Sequence, residues 1–308
     1  MEHRTIGSLT VSAIGLGCNN FGMRVDEART REVIDAALDS GINFFDTADI
    51  YGGTKSEEFM GRVLNGRRDK AIIATKFGME AAPGKKGARP EYVRQACEDS
   101  LRRLDIETID LYQLHAPDEE TPIAETLGAL HELVEQGKVR EIGCSNFSAE
   151  QLREAEREAR GAKFVSVQNE FSLIVRDPIA EVLPECRRQA MAFLPYFPLA
   201  SGLLTGKYRQ GQPRPEGTRL SQGERADRIL SEANLALVSR LTSFAESKGR
   251  SMLELAFGWL LSQPQVASVI AGATSAAQVR SNAEAGGWRL TAQELAEVES
   301  MLSPVSAG

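Results

Sequence analysis

Residues 43–53 read NFFDTADIYGG. A short apolar run, Phe44-Phe45, stops at Asp46, and turn-prone residues follow: Thr47, Asp49, Tyr51 and the pair Gly52-Gly53. This is the pattern of a buried strand that ends abruptly and delivers a carboxylate, then a phenol, to one mouth. Two readings stay open on the stretch alone. Asp46 and Tyr51 face each other at the edge of a cavity, or Asp46 caps the next helix while Tyr51 packs as a loop aromatic.

The same grammar repeats in both directions. Upstream, residues 5–11 read as a small hairpin turning at Gly7-Ser8, and residues 13–18 as a short buried strand. That strand ends in GLGCNNFG. The glycines lack the spacing of a dinucleotide fingerprint and do not open directly into a helix, which excludes a Rossmann reading. Gly15 and Gly17 instead suit a strand end that bends or lies close to a ligand. Downstream, strands are expected at 43–47, 71–75, 109–114, 139–144, 164–167, 192–197 and 268–271. Helical spacing covers 28–38, 57–64, 90–104, 122–136, 179–189, 232–247, 252–261, 275–285 and 291–302. Pro90 starts its helix where a missing N–H costs nothing, and Ser148 with Gln151 forms a capping-box pair. Short strands that are apolar on both faces, each followed by helical sequence, are what a parallel sheet covered by helices requires. The expected fold is therefore an α/β, (β/α)8 TIM barrel, with an N-terminal β-hairpin against one end and an extra C-terminal helix. No linker or change of composition divides residues 1–308, so one domain is expected.

Bulk properties narrow the function. A chain of 308 residues, 42% hydrophobic, buries a sizeable core without disulfides or a structural metal. A net charge of −7 argues against a nucleic-acid or anionic-membrane surface, while leaving room for a local cationic pocket. The four cysteines, Cys18, Cys97, Cys144 and Cys186, are scattered, as in a reduced cytoplasmic protein. No signal peptide and no membrane-spanning run is expected.

Barrel chemistry gathers at the C-terminal ends of the strands. There the sequence places Asp46 and Tyr51, then Lys76, His115, Ser145 and Asn146, Gln168 and Asn169, and Tyr196. Taken singly, each has a structural explanation. Taken together, four titratable groups at the ends of three consecutive strands must face one another. A free phenol with a pKa of about 10 exchanges protons slowly at neutral pH. A neighbouring ammonium, Lys76, is expected to lower that value, and Asp46 to keep Lys76 charged and oriented. His115 can hydrogen-bond a substrate oxygen. There is no nucleophile with its base, no pair of carboxylates flanking the mouth, and no HxH among the three histidines. Acyl transfer, glycoside hydrolysis and metal-assisted hydrolysis are thus poorly supported.

Several motifs, in order, resemble the aldo-keto reductase superfamily. They are GINFFDTADIYGG at 41–53, IIATKFG around Lys76, LRRLDIETIDLYQLH at 101–115, then GKVREIGCSNFS, VSVQNEFS and PYFPLASGLLTGKY. The resemblance implies a tetrad of Asp46, Tyr51, Lys76 and His115, with Tyr51 as general acid/base. It implies an extended nicotinamide coenzyme held without a Rossmann fold. Ser145, Asn146 and Gln168 would hold the carboxamide, and Tyr196 would stack on the nicotinamide. The backbone of Phe197, Leu199, Ser201, Gly202 and Leu203, with Lys207, would follow the pyrophosphate. Gly272, Thr274, Ser275, Gln278 and Asn282 would take the adenosine phosphate end. One departure stands out: the turn after the eighth strand has no cation before Arg280, and a hydroxyl holds phosphate less strongly than a guanidinium. On the resemblance NADPH/NADP+ is the expected coenzyme, with NADH/NAD+ the alternative. The implied activity is reversible reduction of small aldehydes and ketones to alcohols. The alternative is a coenzyme-sensing regulatory subunit resembling potassium-channel β subunits. Substrate contacts are expected near Phe21, Met23, Phe77, Gly78 and Met79, and from residues 212–228, either a lid or plain surface.

Overall fold

A computed structural model describes residues 1–209 and 211–303. The chain opens with β1 (His3–Ile6) and β2 (Leu9–Ser12), an antiparallel hairpin. The barrel strands and their helices follow in alternation: β3 (Ile14–Gly17), α1 (Glu27–Asp39), β4 (Phe44–Asp46), α2 (Lys55–Leu64), β5 (Ile72–Phe77), α3 (Pro90–Leu104), β6 (Ile109–Leu114) and α4 (Ile123–Glu135). Next come β7 (Val139–Ser145), α5 (Ala149–Glu158), β8 (Ser166–Glu170), α6 (Val182–Gln189) and β9 (Ala192–Tyr196). A long connection carries the short α7 (Glu224–Ile229), then α8 (Glu232–Ser247) and α9 (Met252–Leu261). The last barrel strand, β10 (Val269–Gly272), is followed by α10 (Ala276–Ala285) and α11 (Ala292–Leu302).

The eight strands β3 to β10 pair in parallel in the order β10-β3-β4-β5-β6-β7-β8-β9. The seam between β9 and β10 is drawn together by a parallel bridge from Phe193 to Val266. Phe193 N donates to Gln265 O at 2.7 Å, and Ala267 N to Phe193 O at 3.0 Å. This is the (β/α)8 barrel that the alternating pattern predicts.

The period-2 alternation of strands explains what the interior holds. Phe44, Ala74, Leu111, Leu194 and Ile270 form one buried apolar cluster with Ile6, Leu9 and Val11 of the hairpin, which closes that end of the barrel. Two residues further along four of these strands, the same inward face presents Asp46, Lys76, Gln113 and Tyr196. The polar layer is therefore a direct consequence of register: Asp46 pairs beside Ala74, and Lys76 beside Gln113.

Some boundaries differ from the sequence expectation. β5 runs on to Phe77, so Lys76 lies inside the strand rather than beyond its end, held by pairing with β6. Part of residues 212–228 is helical, because α7 begins at Glu224. No described helix is long and apolar enough to cross a membrane.

Candidate active site

Asp46 ends β4 and Tyr51 sits in the turn after it. Gly52 makes that turn possible: its φ is +62°, and a Cβ there would come within 2.4 Å of Phe21 O. Lys76 reaches across from β5. Its Nζ donates to Asp46 Oδ2 at 2.6 Å and to Thr47 O at 2.9 Å. The same Nζ lies 5.2 Å from the centre of the Tyr51 ring, close enough for its charge to act on the phenol. His115 follows β6, its ring edge-to-face with Tyr51 at 5.9 Å. The four predicted side chains therefore converge.

Burial sets their protonation. It would discharge Lys76, but the adjacent Asp46 carboxylate and the Tyr51 phenol hold the ammonium above its usual pKa. Burial also raises the Tyr51 phenol, and the pull of Lys76 only partly offsets it. This reverses the expectation that Lys76 would leave Tyr51 with a lowered pKa: the sequence shows the ammonium but not the loss of water around the phenol. His115 is driven down to about 3 by burial and then by the Lys76 charge, so its imidazole is neutral at physiological pH. Its Nδ1 is buried without a partner among the described residues.

These groups open into a cavity of about 800 Å³. Of the residues predicted for catalysis and coenzyme binding, all line it except Lys76, Leu203 and Ser275. Lys76 is wholly buried behind Asp46 and Tyr51, and Leu203 packs in the core. The Ser275 hydroxyl caps α10 by accepting from Gln278 N. A larger groove of about 1210 Å³ opens at the opposite strand ends, but its buried Asp110 is already paired with Arg68 and Arg140.

Along the cavity, polar groups brace one another. Ser145 Oγ donates to Gln168 O at 2.7 Å, and Asn146 Nδ2 to His115 O at 2.9 Å. Tyr196 Oη donates to Asn146 Oδ1 at 2.7 Å, fixing the ring at the mouth. Beyond it, Phe197, Ala200, Ser201 and Gly202 all have positive φ. Such turns expose backbone N–H groups to an anion. Lys207 Nζ lies against the turn, 3.0 Å from where a Gly202 Cβ would stand. After β10, Thr274 N and Oγ1 both donate to Gln278 Oε1.

The model of the Aldo/keto reductase family matches residues 13–303. The chain belongs to this family. Among solved aldo-keto reductase structures, the glycerol dehydrogenase AKR11B4 from Gluconobacter oxydans superposes with a TM-score of 0.86 at 33% identity, covering 99% of this chain and 98% of that one. The holo form of aldo-keto reductase AKR11C1 from Bacillus halodurans gives a TM-score of 0.83 at 32% identity, over 100% and 99% of the two chains. A probable voltage-gated potassium channel subunit beta from Arabidopsis thaliana is 33% identical over 92% of this chain and 91% of its own length.

The coenzyme that the aldo-keto reductase family implies suits this lining. A positive-φ turn with an ammonium beside it matches a pyrophosphate, and Gln168 Oε1 has no partner among the described residues. Sequence reasoning missed Asn19, Asn20 and Arg24, and held Arg219 only within the 212–228 stretch expected near the substrate; all four line the same cavity. Arg219 Nη2 donates to Asn20 Oδ1 at 3.0 Å and to Asn19 Oδ1 at 3.3 Å, fastening residues 217–219 over the channel. Its guanidinium and that of Arg225 lie 6.0 and 4.6 Å from the centre of the Phe197 ring. The strand-end rule, applied to GLGCNNFG, was the available signal for the asparagines. Of the expected substrate contacts, Met79 and residues 217–219 line the cavity, whereas Phe21 and Phe77 are buried in the core.

Proposed function

We propose that the chain is an NADPH-dependent oxidoreductase that reduces small aldehydes and ketones to alcohols, reversibly. The observation that carries this reading is the buried Asp46–Lys76 pair beside Tyr51, facing the same cavity as the cationic channel of Lys207 and Arg219. When bound, the coenzyme supplies the hydride in reduction and accepts it in oxidation. Tyr51, held protonated by burial, gives its proton to the substrate oxygen. Lys76 stays charged and stabilises the phenolate that Tyr51 becomes. Neutral His115 donates a hydrogen bond to the same oxygen without competing for the proton. Losing one such donor costs about 10²–10³ in rate. Arg24, Lys207 and Arg219 in the channel favour the phosphorylated coenzyme despite the uncharged turn after β10.

The test is steady-state oxidation of NADPH and NADH against aldehydes, ketones and quinones, with polyols in reverse because one structural neighbour is a glycerol dehydrogenase. Turnover with preference for NADPH is expected. The likeness to a potassium-channel β subunit favours a second reading, a coenzyme-sensing subunit. Tight NADPH binding with no turnover of any substrate would support that reading instead.

A further inference from the structure

We infer that Gln113 is a positioning residue for proton transfer, orienting Asp46 and through it Lys76 and Tyr51; this rests on the reductase reading above. Gln113 lies on β6, faces the barrel interior and has no solvent exposure. Asp46 Oδ1 receives Gln168 Nε2 at 2.9 Å and Gln113 Nε2 at 3.3 Å, while Oδ2 receives Lys76 Nζ at 2.6 Å. Gln168 Nε2 also lies 3.4 Å from Gln113 Oε1.

The chemistry fixes the amides. A carboxylate only accepts, so both amides must turn N–H toward it. Gln168 Oε1 is thereby left for the cavity. Two amide donors on Oδ1 leave Oδ2 as the face for Lys76, and Lys76 then keeps a proton for Tyr51.

A plain core role would be better served by an apolar side chain. Leu111, two residues earlier on the same face, belongs to the apolar cluster, and burying an amide without a partner is costly. The neighbouring strand offers a glycine at this level, packed against Ser166 and Gln113. Gly143 pairs beside Gln113, and a Cβ there would stand 3.3 Å from Gln113 Cγ and 2.5 Å from Ser166 Oγ.

The titratable groups around the Asp46 carboxylate are Lys76 on β5, Tyr51 after β4, Cys18 after β3 and His115 after β6. Nearest it, β7 and β8 present uncharged Ser145, Ser166 and Gln168, while Glu170 lies further along β8 toward Tyr196. A second carboxyl placed at position 113 would therefore stand directly against the Asp46 carboxylate.

The experiment compares Gln113→Glu and Gln113→Leu with the wild-type chain in NADPH-dependent reduction from pH 5.5 to 8.5. Protonated Glu keeps an O–H donor for Asp46, whereas ionised Glu repels it. The expected kcat of Gln113→Glu approaches wild type at the acid end and falls about 10²-fold toward the alkaline end. Gln113→Leu loses kcat by a similar factor at every pH, and KM for the carbonyl changes less than about twofold in both. Without coenzyme, the Tm deficit of Gln113→Glu widens as pH rises while that of Gln113→Leu stays constant. A Gln113→Glu profile parallel to wild type, or wild-type kcat in Gln113→Leu, would overturn the inference. A wild-type chain that turns over no carbonyl defeats the reductase reading first, before either variant is measured.

Discussion

Lys76 and Asp46 form an ion pair, 2.6 Å from Nζ to Oδ2, in which the lysine side chain is fully buried and the aspartate 4% exposed. Breaking such a pair by removing one partner leaves an uncompensated buried charge and costs about 3–5 kcal/mol. Lys76→Met should therefore lower unfolding free energy in urea by about that amount. Replacing Asp46 by Leu in the same chain should restore much of the loss, while turnover stays absent in both. Single-variant stability equal to wild type would contradict the picture.

His115 gives a pH prediction. Its folded pKa, about 3, lies below that of a free imidazole, so the stability it contributes is present above about pH 6.5 and is lost as pH falls toward 3. His115→Gln should flatten the acid side of a Tm-versus-pH curve. Reduction by the wild-type chain should show no imidazole inflection in kcat/KM between pH 5 and 8. An inflection near 6.5 that disappears in His115→Gln would be the contrary result.

Asp49 behaves in the opposite sense. Both its carboxyl oxygens are buried without a partner among the described residues. Burial, and then the nearby Glu57 charge, raise its pKa to about 7. With the folded value above the unfolded one, stability is fullest below about pH 4 and declines as pH rises through 7. Asp49→Asn should therefore gain in Tm relative to wild type between pH 5 and pH 8, by several degrees in scanning fluorimetry. A pH-independent difference would show that Asp49 does not titrate in this range.

Arg219 spans the channel from the connection after β9 to Asn19 and Asn20. Charge-assisted contacts to phosphate are about twice as strong as neutral ones. Arg219→Met should weaken NADPH binding about tenfold and reduce its salt dependence, as read by quenching of protein fluorescence. Saturated kcat should change little. Unaltered affinity would remove Arg219 from the coenzyme site.

Much of this was legible in the chain because alternation dictates side. Phe44, Phe45 and Asp46 had to point in, out and in, and Asp46 therefore had to join the interior. What stayed hidden depended on distance or on water. Arg219 reaches partners 200 residues away, which no local pattern signals. Gln113 was concealed inside a strand read for its apolar run, DLYQL. Asn19 and Asn20 were set aside with a fingerprint that did not fit. The raised pKa of Tyr51 follows from burial, and burial belongs to the assembled barrel rather than to any one segment.

In the proposed reaction Tyr51 is the proton donor at a bound nicotinamide coenzyme. The most direct measurement pairs NADPH titration with single-turnover carbonyl reduction in Tyr51→Phe. An NADPH Kd within about twofold of wild type, with turnover lowered at least about 10²-fold, is the predicted result. Near-normal turnover in that variant would contradict the assignment.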